Sequence, residues 1–150
     1  MTNGKLIAIC ISPKAGEPMR CVPSAEALTG RGLLGDRYCL AGGSWSKGII
    51  GKRQITLINA ASLVGTDFTH EDSRRNLLIG GNIDLMEMIG REFRIGPTVV
   101  LRGIKHCEPC DRPSDLCGKP GFKHRVPIGG LVAEIVLGGW LSMSDEIVPL

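Results

Sequence analysis

Glu92-Phe-Arg-Ile-Gly-Pro-Thr-Val-Val-Leu-Arg-Gly-Ile-Lys105 decides the fold. Glu92 to Ile95 and Thr98 to Lys105 are short, alternating or β-branched runs of the kind strands favour, parted by turn-forming Gly96-Pro97. The same pattern recurs outward in both directions, at Leu6 to Ser12, Gln54 to Ile58, Asn76 to Ile79, Leu131 to Leu137, Trp140 to Met143 and Ile147 to Val148. Helical signals are weaker. Asn59 is placed to cap a short helix through Ala60 to Val64 that Gly65 ends, and Asp84 to cap Leu85 to Ile89 before Gly90. Seven or eight short strands with short helices between them predict a mainly β domain, a closed or partly closed barrel that leaves few edges exposed.

Composition agrees. The 150 residues suit one domain, 1–150, large enough to bury a core without disulfides. Gly 21 and Pro 9 exceed average usage and predict many tight turns, spread along the chain with no linker or repeat. The apolar runs, such as Leu6 to Ile11, fall far short of the roughly 20 residues of a spanning helix. The start at Met1 to Lys5 is followed by too short an apolar run for a secretory signal, so a cytoplasmic location is expected and the six cysteines read as thiols or ligands. Residues 1–60 hold eight Lys/Arg against three Asp/Glu, while 61–150 hold ten against twelve. With six aromatic residues there is little for bases to stack on, so the basic N-terminal part predicts a small anionic ligand, and neither nucleic acid nor membrane as partner.

Two long irregular stretches, Pro13 to Gly51 and Glu108 to Gly130, are expected to fold over a site at one end of the barrel. The second begins with Cys107-Glu-Pro-Cys110, directly after a strand. Three chemistries compete there. One cysteine could be a nucleophile, sulfur carrier or soft-metal ligand beside the cations Arg102, Lys105, Arg112 and His106. Cys107, Cys110, Cys117 and His124 could instead form a tetrahedral zinc set, although the spacing is unusual for zinc. A thioredoxin-type dithiol is the third, and it lacks the long helix that chemistry needs. Small hydrophobes lining the core are the bland alternative.

Gly30-Arg-Gly-Leu-Leu-Gly35-Asp36-Arg37-Tyr38 could nest an anion on backbone N–H groups, with Arg31 and Arg37 adding charge, or be simply a turn with an ion pair. Arg53 and Arg74-Arg75-Asn76 stand at strand heads, where guanidinium forks suit a phosphate or carboxylate. His70 reads as a solvated or capping residue. His124-Arg125 closes the second long stretch and could approach the cysteine loop, or be surface. Trp45 and Trp140 read as core or lid packing.

Gly35-Asp36-Arg37-Tyr38, Arg53-Gln54-Ile55-Thr56-Leu57, Arg74-Arg75-Asn76-Leu77, Gly90-Arg91-Glu92-Phe93-Arg94-Ile95-Gly96, Cys107-Glu108-Pro109-Cys110 and Gly129-Gly130-Leu131, in that order, resemble the MOSC domain, named for the C-terminal domain of molybdenum cofactor sulfurases. The resemblance spans about residues 30–148 and is to the small stand-alone members. It implies a mainly β barrel of the pyruvate-kinase-barrel-like kind and a molybdopterin-type molybdenum cofactor. Cys110 then matches the cysteine that carries sulfur as a persulfide or ligates molybdenum, and Cys107, His124 and Arg125 are secondary. Gly35, Asp36, Arg37, Arg53, Arg75 and Asn76 match the pocket for the cofactor's phosphate and pterin. If the domain is catalytic, the resemblance implies a sulfur-transfer protein or a molybdenum-dependent oxidoreductase acting on N-hydroxylated compounds, supplied by a separate cysteine desulfurase or electron-donor protein. No pyridoxal phosphate is expected in this chain, which lacks the desulfurase domain of full-length sulfurases. Two departures stand out: Val126-Pro127-Ile128 separates Arg125 from Gly129, and Ser144 replaces the expected Gly before Asp145. The alternative from a different class is a zinc-stabilised Cys/Cys/Cys/His binding domain without catalysis.

Overall fold

The computed structural model describes residues 3–150; Met1 and Thr2, where the signal reading begins, lie outside the described residues. In chain order the strands are β1 Gly4–Ile11, β2 Arg20–Val22, β3 Ser24–Leu28, β4 Gly32–Leu33, β5 Ile55–Asn59, β6 Leu77–Gly81, β7 Glu92–Ile95, β8 Val99–His106, β9 Leu131–Leu137, β10 Gly139–Ser142 and β11 Glu146–Pro149. The helices α1 His70–Ser73, α2 Arg112–Cys117 and α3 Phe122–Arg125 are short, and two 3₁₀ turns occupy Ala60–Ser62 and Leu85–Met88.

Neighbouring strands run β11-β7-β8-β9-β5-β6-β1, and β1 pairs back onto β11, which closes a seven-stranded mixed barrel. Among the described residues only β5 and β6 pair in parallel within it, Leu57 opposite Leu77. The alternation read from the sequence explains the closure: Leu6, Ile9, Ile55, Leu57, Leu77, Ile79, Phe93, Ile95, Leu101 and Ile135 all point into one buried core. Closure also removes the unpaired edges that invite aggregation. All eight strand expectations correspond to strands, with ends shifted by a residue or two. The Asn59 and Asp84 caps are present, accepting from Ala61 N and Met86 N, and each serves one 3₁₀ turn.

Every residue of β5 but the last is buried, because the strand is covered on both faces. Leu57 packs inside the barrel, whereas Ile58 points outward into a second cluster with Phe68, Phe122 and Val126. Phe68 and Phe122 meet edge to face at 5.1 Å. This outer layer takes in Cys117 of α2 and Phe122 of α3, and so fixes where the loop from Cys107 to Gly130 lies.

The long stretches are less irregular than their composition suggests. Pro13 to Gly51 contains β2, which extends the barrel sheet beyond β1, and β3 and β4, which form a separate sheet with β10. Strands of two to five residues, rich in Gly and Ala, carry too little periodic signal to be read without their partners. Glu108 to Gly130 likewise holds α2 and α3. Trp140, read as core or lid, is instead an exposed position of β10 opposite Glu26.

Candidate functional site

Gly35-Asp36-Arg37-Tyr38 turns at the end of the barrel, with Gly35 at φ +90°, where a Cβ would be strained. Asp36 is fully buried. Its Oδ1 accepts from Ser12 N and from Arg37 Nη1, both at 3.0 Å, and its Oδ2 accepts from Tyr38 N. Arg37 is thereby held rigid, donating also to the Tyr38 hydroxyl and the Arg74 carbonyl from Nη2, with its guanidinium 4.2 Å from the Tyr38 ring centre. The expected nest does not form here. The N–H groups of Gly30, Arg31, Leu34 and Asp36 are spent on backbone carbonyls, and Arg31 is exposed and bonded to Cys39 O, because the loop uses its donors to build β3 and β4.

Thr69 opens α1 with a capping box to Asp72, and Arg74 ends it in the left-handed conformation at φ +63°. That reversal turns Arg74 and Arg75 toward the barrel end. Arg75 donates to Gly129 O at 2.6 Å, Ser73 O at 3.0 Å and Cys107 O at 3.4 Å, so it ties the cysteine loop to the Gly129-Gly130 turn. Asn76, fully buried, takes Thr56 N on Oδ1 and gives Nδ2 to Cys10 O. It joins three strands and positions the arginines before it.

The result is a narrow cleft lined by Arg37, Arg53, Arg74, Arg75 and Arg112 with Tyr38, Trp45 and Cys110. Five guanidinium groups meet there, and among the described residues one carboxylate, Asp36, forms an ion pair with any of them. Burial first, then the neighbouring Arg37 and Arg112 charges, push Arg74 down to about 10. Arg53 donates from Nη2 to Cys107 Sγ at 3.0 Å and lies between the Tyr38 and Trp45 rings, while its buried Nε finds no hydrogen-bond partner. A wider cleft shares Trp45, Arg53, Arg75 and Cys110 and adds Lys105, His106, Cys107 and Lys123. Both long stretches therefore supply walls of one site at the barrel end.

Several expected residues are elsewhere. Arg102 pairs with Glu92 and Glu134 across β7, β8 and β9, away from the cysteines. Arg125 pairs with Asp67 at 2.7 Å over Phe68, and His124 is exposed; neither lines the clefts, because α3 turns its Phe122 side inward to the outer apolar layer. Cys117 packs against that same layer, so Cys107, Cys110, Cys117 and His124 do not converge as a metal set. Gly35 shapes the turn without lining either cleft. All six cysteines are free. Arg74, expected at a strand head beside Arg75, lines the cleft through its left-handed backbone, and His70 is buried against Cys10 instead of solvated. The His70-Glu-Asp sequence gave no sign of this.

Among solved structures, the YUAD protein from Bacillus subtilis superposes with a TM-score of 0.78 at 18% identity, covering 97% of this chain and 94% of the other. YiiM from Geobacillus stearothermophilus gives 0.70 at 10% identity over 98% and 75%, and YiiM from Escherichia coli 0.61 at 14% over 97% and 69%. The fold is MOSC-like. At these identities the likeness is one of fold alone, and sites have to be argued from the residues. No family model and no curated protein sequence matches the chain. Among the described residues no helix is long and apolar enough to cross a membrane.

Proposed function

We propose that the arginine cleft binds a molybdopterin-type cofactor through its phosphate, and that Cys110 serves as the thiol that carries sulfur as a persulfide or ligates molybdenum. The observation that carries this reading is five arginines against one paired carboxylate, with a buried unpartnered Arg53 Nε, in the cleft that Cys110 also lines. Crowded buried guanidinium groups repel one another, and a bound dianion relieves that repulsion through charge-assisted hydrogen bonds. The donor set fits the group: forked donors for a phosphate, aromatic Tyr38 and Trp45 for a planar ring, and a half-buried soft thiol for a thiophilic metal.

In this reading Arg53, Arg74 and Arg112 supply the anion contacts, and Arg37 is set in place by Asp36. Arg75 and Asn76 hold the cysteine loop and strand heads, with most of their polar atoms already spent within the protein. Molybdenum, when bound, would supply two-electron redox chemistry of the kind that reduces N-hydroxylated compounds. The carrier role draws on a separate cysteine desulfurase, and the reductase role on a separate electron donor.

Protein made in a cofactor-producing host tests the proposal by elemental analysis and non-reducing intact mass. The expected result is molybdenum near one per chain, or one labile extra sulfur, lost in Cys110→Ala and retained in Cys117→Ala. Neither molybdenum nor extra sulfur, together with no stabilisation of the protein by inorganic pyrophosphate, would overturn it.

A further inference from the structure

Away from the arginine cleft, β1, β2 and the start of α1 bring four potential ligands together. Cys10 of β1 lies directly opposite Cys21 of β2 in the antiparallel register. The capped α1 sets His70 and Glu71 over them. One donor atom from each of Cys10, Cys21, His70 and Glu71 lies within 4.8 Å of all the others, the sole such group among the described residues.

We infer that Cys10, Cys21, His70 and Glu71 form a tetrahedral site for a divalent cation of the zinc class. Two thiols, an imidazole and a carboxylate match that ion's ligand preferences. With bond lengths of about 2.0–2.3 Å, a tetrahedral zinc separates its ligand atoms by about 3.3–3.8 Å. Cys10 Sγ to His70 Nδ1 is 3.3 Å and Cys21 Sγ to Glu71 Oε1 is 3.6 Å, both in that range. Cys10 Sγ to Cys21 Sγ, at 2.7 Å, has to open by about 1 Å, which small side-chain rotations on the three-residue edge strand β2 allow.

The surroundings favour a cation. The Glu71 carboxylate stands 3.6 Å from Cys21 Sγ, and the two thiols release their protons as the ion binds. His70 turns Nδ1 toward Cys10 Sγ, while its buried Nε2 has no hydrogen-bond partner. Cys10 and His70 are buried while Cys21 and Glu71 are exposed, giving the ion an entry side. Three residues beyond Glu71 stands Arg74, so the ion would pin α1 and with it the arginine-bearing turn that follows.

The test is cobalt(II) and zinc(II) titration of the full-length reduced protein, read by absorbance and by metal content after gel filtration. One cobalt per chain with visible d–d bands of tetrahedral intensity and near-ultraviolet thiolate charge transfer is expected, displaced by zinc. Cys21→Ser and Glu71→Gln, both at exposed positions and so compatible with folding, are expected to weaken binding by about 100-fold and about 10-fold, while Cys117→Ser leaves it unchanged. Absence of the charge-transfer band, or zinc retained equally in Cys21→Ser, overturns the site. So does protein prepared without reductant that is two mass units light, regains the full mass in Cys21→Ser, and binds no metal before or after reduction, a Cys10–Cys21 disulfide then standing in its place. Retention of zinc in Cys110→Ala keeps this outcome separate from that of the cofactor reading.

Discussion

Asp36→Asn is the sharpest test of how the arginine cleft is held. The carboxylate is fully buried, accepts from Ser12 N, Tyr38 N and Arg37 Nη1, and among the described residues is the one carboxylate in an ion pair with the five clustered arginines. The amide keeps the shape but removes the charge. If its oxygen still faces Ser12 N and Arg37, its NH2 faces the Tyr38 N–H, donor against donor. Breaking a buried pair from one side costs about 3–5 kcal/mol because the surviving charge is left uncompensated. For a domain of this size each 1 kcal/mol is about 2–4 °C, so the melting temperature should fall by about 6–20 °C. Urea denaturation followed by circular dichroism gives the energy, and a calorimetric scan gives the shift. Adding Arg37→Met to Asp36→Asn removes the stranded charge, so the double variant should be more stable than the sum of the two single losses, with a coupling of about 1–3 kcal/mol. Inorganic pyrophosphate should stabilise Asp36→Asn as well, by about 2.7 kcal/mol at one hundred times its dissociation constant. A loss below about 1 kcal/mol, or strict additivity with Arg37→Met, would refute the account of Asp36 as the charge that holds the cluster.

Asn76→Ala strands the buried Thr56 N–H and Cys10 carbonyl, and a loss of about 2–5 kcal/mol is expected in urea denaturation, with Asn76→Asp only partly restoring it. Gly130 sits at φ +116°, and a Cβ there would run into the Leu57 carbonyl, so Gly130→Ala should cost about 3 kcal/mol or more. Gly118→Ala, also at positive φ but with open space around it, should cost only about 1 kcal/mol, and equal losses for the two would count against the backbone-approach argument. Phe122→Ala empties the outer apolar layer and should lose about 3–5 kcal/mol, with amide exchange rising first in α2 and α3 while the barrel strands stay protected.

The strands of the barrel were legible because half-buried strands write their burial into the chain with a period of two. Leu57, Phe93 and Ile135 lie inward as alternation requires, whereas Leu6 and Ile9, three residues apart, both face the core because β1 is bulged between Leu6 and Ala8. Motif order pointed to Arg37, Arg53, Arg75 and Cys110, and the structure brings those four to one cleft. Less regular parts left no such trace. Residues of β2, β3 and β4 take their conformation from the strands they pair with, and α3 owes its place to Phe122 packing under Ile58, which no local pattern announces. His124 and Arg125 looked like cleft residues from their position in the chain, yet one turn of helix directs them outward.

What the sequence by itself determined is therefore the barrel and the chemical types at its end: alternation gives strands, glycines give turns, and the motifs carry the arginines and the cysteine found there. Which side chains meet was decided by tertiary structure, because meeting depends on closure of the sheet, the left-handed turn at Arg74 and the outer apolar layer. Cys10, Cys21, His70 and Glu71 are the clearest case: sixty residues separate Cys10 from His70, and only the pairing of β1 with β2 beneath α1 puts their donor atoms together.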